Sequence, residues 1–440
     1  MFKEQQLKNI NKKEEFFVIE KNIEGNRERI LDLRHKIHKN PELGFHEFKT
    51  AKLIKNELER LGVEILAEGV GKTGIIGQIK GNENGKTIAL RADIDALPIQ
   101  EKTNLPYASK NKGIMHACGH DTHTAALLGA AGALKNMAKQ NKLNGNVLFI
   151  FQPNEERSDP KRKSGAVQMI KALEKTGLRD KINAFFMLHV CSEMERGKIL
   201  LPKDMLCGSS SSFTLKLEAP GGHASESWKL PNIEKILSRI ETKLDDRFGF
   251  KGPQEEQPKI ILEPGLHKTD SQAVNTLSER GEVSWTLRIL LPGMEFKPTR
   301  TKIIQEFKKI ILNEVEPWQK KGAKWSVDYN PGTRPVAFRD PKLVELGEEV
   351  AKDVLGNDLE ISRQPILGGE DFSYYPEPFV GKSMAPKKEI PGLAIMVGGA
   401  NPKKGIPFVG HHQPNFRIDE ESIIDMAKIY AEFSRQYLEK

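Results

Sequence analysis

Cysteine is scarce: the 440 residues hold three, Cys118, Cys191 and Cys207. So odd and sparse a set excludes a disulfide framework and points to a reducing, cytoplasmic setting. Long apolar runs are missing as well. Runs such as NVLFIFQP and AFFMLHV have strand length and fall far short of a membrane span. The opening stretch MFKEQQLKNINKKEEF is charged and lacks the apolar segment of a secretory leader. Charge of one sign is also in short supply, with a net +8 at 29% charged residues. Lysines and arginines alternate with acids, as in KNELERLG and QEFKKIILNEVE, which argues against a nucleic-acid surface. Dinucleotide and phosphate fingerprints are read as missing, with no G-x-G-x-x-G after a strand and no Gly-Lys-Ser/Thr loop.

What is present is a globular composition, 38% hydrophobic, in a chain long enough for two or three domains. RERILDLRHKIHKNPELG reads as an amphipathic helix ended by Asn-Pro and Gly, and EFKTAKLIKNELERLG as a second helix closed by glycine. Runs at 86–92, 146–152, 184–190 and 392–398 read as strands, three of them near-continuously apolar as expected of strands covered on both faces. Helical stretches separate them (HTAALLGAAGALKNMAK, GAVQMIKALEK), so the fold class is α/β with a mostly parallel sheet. Residues 212–331 break this rhythm with the order strand, helix, strand, strand, helix, strand, the split motif of a ferredoxin-like α+β domain. The expected organisation is an N-terminal extension (1–24), a catalytic domain in two pieces (25–211 and 332–440), and an inserted domain (212–331).

In open α/β sheets, ligands bind beyond the carboxyl ends of the strands. Those ends are rich in metal-ligand residue types: Asp93 and Asp95 in LRADIDALP, Glu155 and Glu156 in FQPNEE, His189 in MLHV. GIMHACGHDTHTAALLGAA (113–131) adds Cys118 and His120, and GHHQP adds His411 and His412. Thiolate and imidazole suit zinc; imidazole and carboxylate also suit manganese. Five or more donors exceed one tetrahedral site and fit two ions about 3.5–4 Å apart. One of the adjacent glutamates can then bind metal while the other serves as general base; spacing alone leaves open which does which. Two other readings of 113–131 exist. Cys118 could be a nucleophile at a helix start, which leaves the other strand-end residues idle. Alternatively, Asp121 or Thr122 caps a helix with His116 and His123 beside it.

RHKIHKNPELGFHEFKT (34–50), LRADIDALPIQE, GIMHACGHDTHTAALLGAA, FIFQPNEE, FMLHV, APGGHAS (219–225), GGEDFSYY (368–375) and HHQPNFRIDEE follow one another in an order that resembles a known family. It is the dinuclear-metal amidohydrolases of the hippurate hydrolase, N-acyl-amino-acid hydrolase, N-acetyldiaminopimelate deacetylase and auxin-conjugate hydrolase type, relatives of aminoacylase and carboxypeptidase G. The resemblance implies Cys118, His120, Glu156, His189 and His412 as ligands of two divalent ions (zinc, manganese, cobalt or nickel). It implies Glu155 as general base and Asp95 as the aspartate that orients a ligand, with Asp93 where more distant relatives carry a histidine ligand. His223 resembles the histidine that reaches a partner subunit's cleft. Asn275, Arg288 and Glu370 fall near positions that hold the substrate or flank the site. The implied substrate is a small N-acyl amino acid and the implied assembly a homodimer joined through the inserted lid, with neither nucleic acid nor membrane as partner. The same machinery serves dipeptidases and carboxypeptidases. Two departures stand out: RSDPKRKSG follows Glu156 where the family runs straight into a glycine-rich helix start, and Asn154 replaces a small residue. A basic loop there implies a preference for an acidic or extended acyl group.

Overall fold

The computed structural model describes all residues except 1, 82–84, 157–163, 250–255, 339 and 377–388, so the basic segment after Glu156 lies outside the described residues. The chain divides into two compact units, one of Met1–Leu206, Phe338–Gln364 and Asp371–Lys440, the other of Cys207–Ala337 and Pro365–Glu370.

The first unit begins with helices α1 (Phe2–Gly25), α2 (Arg27–Lys39) and α3 (Phe48–Leu61). α3 stops where Gly62 takes a left-handed φ of 75°, a conformation that costs glycine little. Strands β1 (Glu64–Val70), β2 (Gly74–Lys80) and β3 (Thr87–Asp93) follow, then α4 (His120–Lys139), β4 (Asn146–Gln152), α5 (Gly165–Lys175), β5 (Ala184–Glu195) and β6 (Lys198–Leu200). The second unit contributes β7 (Ser209–Glu218), β8 (Gly222–His223), α6 (Ile233–Phe248), β9 (Ile260–Thr269), β10 (Thr276–Leu277), β11 (Arg280–Ile289), α7 (Gly293–Gln319) and β12 (Lys324–Thr333). The chain then returns with α8 (Pro341–Leu355), β13 (Glu360–Ser362), β14 (Gly392–Ala400) and α9 (Glu421–Glu439).

The first unit's sheet runs β1-β2-β4-β3-β5-β14-β6-β13. Its centre, β4-β3-β5-β14, is parallel, with antiparallel pairs toward the edges. Every residue of β3 and β14 is buried, which explains the unbroken apolar run of β14; in β3 the run is interrupted by the buried Arg91. α4 is apolar nearly all round because it is enclosed on nearly all sides, and its small and apolar residues pack against α9, α2 and α1. Each fully buried Leu, Ile or Phe there contributes roughly 1.5–3 kcal/mol over an exposed one. Ile19 and Ile23 of α1 are fully buried in the same core.

The β1–β2 hairpin escapes the sequence reading, and so does the segment inside it. Residues 69–74, GVGKTG, carry both the G-x-G-x-x-G spacing and a Gly-Lys-Thr. The structure makes them the turn between two antiparallel strands, with Gly69, Gly71 and Lys72 at positive φ. A strand rather than a helix follows, so no helix N-terminus is there to receive a phosphate.

In the second unit, β12-β7-β11-β9 forms an antiparallel sheet, the order of a split β-α-β-β-α-β domain. β11 alternates strictly, with Val283, Trp285, Leu287 and Ile289 buried. They meet Phe213 of β7, Ile240 of α6 and Phe307 of α7 in one core. A short ribbon pairs His223 of β8 with Thr276 of β10.

Candidate metal centre and active site

The register of the parallel strands sets Asp93 level with Gln152, and Arg91 level with Met187, two residues before His189. The carboxyl ends of β3, β4 and β5 therefore open at one height. α4 starts just beyond them, its first residue being His120 and its cap Gly119, at φ 91°. A side chain on Gly119 would begin 2.4 Å from Val190 Cγ1, so the close approach of this loop to β5 demands glycine. Neither Asp121 nor Thr122 caps the helix, contrary to the capping reading: Asp121 instead accepts from Arg34 Nε (2.8 Å) and pairs with His38 Nδ1 (2.8 Å).

Donor atoms of Cys118, His120 and His189 lie within 4.8 Å of one another, as do those of Cys118, Glu156 and His412, and of His120, Glu155 and Glu156. Asp95 organises the group. Its backbone oxygen and Oδ1 stand 2.9 and 3.2 Å from His120 Nδ1, and its Oδ2 accepts the Glu156 N–H at 3.0 Å. Among the described residues, His120 Nε2 is buried without a hydrogen-bond partner. His189 donates from Nδ1 to its neighbour's carbonyl, Val190 O, at 2.7 Å, which leaves Nε2 3.6 Å from Cys118 Sγ. His412, at a left-handed φ of 62°, puts Nε2 3.0 Å from Glu156 Oε1. His411 also approaches, Nδ1 to Cys118 Sγ 3.6 Å.

The electrostatics call for a cation. Burial, and then the Glu156 charge, push the Cys118 thiol well above its usual range, so it is a poor nucleophile as it stands. Burial and the adjacent His123 hold His189 well below its ordinary value, neutral and with a lone pair to give. Burial also opposes charge on His120, yet Asp93 and Cys118 outweigh it and raise its value. An orphaned imidazole nitrogen, a second imidazole tied by its other nitrogen, a thiol and a carboxylate fit a divalent transition metal.

A second ring of residues surrounds this group, and sequence reasoning gave it little weight. His123 is fully buried; its Nδ1 is 2.6 Å from Asp93 Oδ1, and its Nε2 accepts the Val190 N–H at 2.9 Å. Accepting through Nε2 makes it a neutral imidazole that donates to Asp93. Burial lowers its pKa in the same direction. Asp93 is thereby occupied, with Oδ2 on Arg91 (2.7 Å) as well. Glu47 is fully buried beside the site: it accepts the Asn154 N–H (3.0 Å) and the Thr73 hydroxyl (2.6 Å), and burial plus the Asp95 charge raise it to about 7. The signal that could have found these residues is polarity inside apolar or motif-bearing stretches, such as Arg91 within TIALRAD.

His223, Asn275, Arg288 and Glu370 belong to the second unit. His223 is exposed; its Nδ1 accepts the Ser225 N–H (3.2 Å) and sits 2.8 Å from Ser225 Oγ, a pairing that orients the ring. Asn275 lies beside it, its carbonyl accepting the Ala224 N–H at 2.9 Å. Arg288 NH1 is 3.2 Å from where a side chain on Gly369 would begin, next to Glu370. Burial lowers the Arg288 pKa.

The model of peptidase family M20/M25/M40 matches residues 89–436. Thermostable carboxypeptidase 2 of Saccharolobus solfataricus is 31% identical over 395 residues, 89% of this chain and 91% of that one. Hippurate hydrolase of Campylobacter jejuni is 34% identical over 349 residues, 78% and 84% of the two chains. Among solved structures, a dinuclear metal binding peptidase of the M20 family from Bacillus subtilis superposes with a TM-score of 0.74 at 28% identity, covering 95% of this chain and 99% of the other.

Proposed function

The chain belongs to peptidase family M20/M25/M40 and is a hydrolase of amide bonds, and on that footing we propose that it cleaves small N-acyl amino acids to a carboxylate and a free amino acid. The observation that carries the proposal is the convergence of Cys118, His120, Glu156, His189 and His412 at the strand ends, with Glu155 adjoining them. Two divalent cations held by these residues would polarise the substrate carbonyl and acidify a water. Glu155 removes the proton from the attacking water and returns it to the leaving nitrogen. Asp95 keeps His120 and Glu156 in place, and Asp93, through His123, braces the backbone beside His189.

His223 is assigned to the developing oxyanion in the cleft of a partner copy, with the second unit as lid and dimer contact. Asn275 and Arg288 are assigned to the substrate carboxylate, which suits a guanidinium with its bidentate geometry. The likeness to a carboxypeptidase supports a second reading, a metallo-exopeptidase acting on dipeptides through the same groups. A hydrolysis panel of N-acetyl, N-benzoyl and dipeptide substrates, read by mass spectrometry on metal-loaded protein, separates the two. Glu155→Gln is expected to keep its metal content and lose turnover by about 10²–10⁴-fold. Retained turnover would refute Glu155 as base.

A further inference from the structure

We propose that Asp371 is the positioning residue for Glu155, and that it holds the base in its working orientation through its own backbone N–H. This rests on the reading of Glu155 as general base. Asp371 is fully buried at the start of a short helical turn, Asp371–Tyr374. Its carboxylate is gripped from three elements. Oδ1 accepts from Arg91 NH2 on β3 (2.9 Å) and from Gln152 Nε2 on β4 (2.8 Å), and Oδ2 accepts the Ala166 N–H at the start of α5 (3.3 Å). The grips are themselves braced. Gln152 Oε1 accepts from Arg91 Nε (3.0 Å) and from the Tyr375 hydroxyl (2.9 Å), while Arg91 NH1 donates to Asp93 (2.7 Å). What this anchoring presents to the site is the Asp371 N–H, donated to Glu155 Oε1 at 3.3 Å.

The terminal torsion of a glutamate has no sharp rotamer, so an unheld carboxylate swivels. A rigid N–H on Oε1 limits that freedom and helps set which way the carboxylate meets a water. Arg91 stands between Asp93 and Asp371, so the brace of the metal side and the brace of the base share one guanidinium. A buried ion pair of this kind costs desolvation and is a poor device for stability alone. Its geometry makes sense as a means of holding two parts of one site in register.

The test compares Asp371→Ala and Asp371→Asn, alone and in the Glu155→Gln background, using the N-acyl amino acid that the unaltered protein cleaves fastest in the panel above. Asp371→Ala is expected to lower kcat about 10–100-fold, part of what a general base contributes, with KM within about 2-fold and metal content unchanged. Asp371→Asn keeps the Oδ1 acceptor and is expected to stay within about 5-fold of the unaltered kcat. In Glu155→Gln, the Asp371→Ala change should have no further effect, because its influence passes through the missing base. A crystal structure of Asp371→Ala should show the Glu155 carboxylate turned from its present position. Overturning results are an unmoved Glu155, a loss of metal that accounts for the loss of rate, or Asn behaving as poorly as Ala. If Glu155→Gln alone keeps its turnover, the base reading fails, an outcome distinct from any of these. Should Asp371→Ala not fold, Asp371→Ser removes the same grips with a smaller cavity and carries the same expectations.

Discussion

Replacing Glu47 by glutamine offers the sharpest stability test of the site's electrostatics. Glu47 is fully buried, and burial together with the nearby Asp95 charge raises its carboxyl from 4.5 to about 7. A carboxyl raised in the folded state binds a proton that the unfolded chain releases. Stability is therefore greatest at low pH and falls as pH rises from the unfolded value, near 4.5, up through the folded value, near 7. At about 1.4 kcal/mol per pKa unit, the full penalty above pH 8 is about 3 kcal/mol, of which roughly 2–3 kcal/mol accrues between pH 5 and pH 8. Glutamine imitates the protonated acid: its oxygen can accept the Asn154 N–H, and its amide can donate to Thr73 Oγ1. Glu47→Gln should thus gain on the unaltered metal-free protein by roughly 2–3 kcal/mol between pH 5 and pH 8 in urea titrations. Circular dichroism follows the transition in both proteins. A difference between the two proteins that stays flat from pH 5 to pH 8 would refute the reasoning.

Asp121→Asn leaves the buried Arg34 with one carboxylate among the described residues, the half-buried Glu420, and should cost about 3–5 kcal/mol in denaturant titrations. Arg34 and His38 outweigh burial and hold Asp121 well below the carboxylate range, so its contribution is present above pH 4 and lost only as pH falls further. Gly119→Ala forces a side chain into a left-handed residue and against Val190. It should cost about 1–3 kcal/mol, and metal analysis after dialysis should show less than the full complement.

Apolar runs made the first unit's central strands legible, β3 and β4 to within a residue, while β5 and β14 extend past the expected ends to Glu195 and Ala400. The β7-to-β12 unit was legible for a different reason, the two-residue alternation of strands such as β11. The β1–β2 hairpin was not, since β1 is exposed or half-exposed throughout and its turn is glycine-rich, so it shows neither pattern. GVGKTG shows the converse: a motif's spacing has meaning only with a helix behind it, and the structure supplies a strand.

Asp93, Glu155, Glu156 and His189 stood out locally because they sit at or just beyond the ends of apolar strand runs, whereas Cys118, His120 and His412 lie in loops and at a helix start. The sequence by itself determined the residue types at those exits, which pointed to a metal site, and the order of its motifs, whose resemblance to a known family pointed to an amide hydrolase. Which side chains support them was decided only by the tertiary structure. Arg91 and Asp371 are 280 positions apart, and Arg34 and Asp121 are 87 apart. No periodicity or spacing links such pairs. Their meeting is a consequence of strand order and helix packing, and the charge of each tolerates burial only because the fold delivers the other.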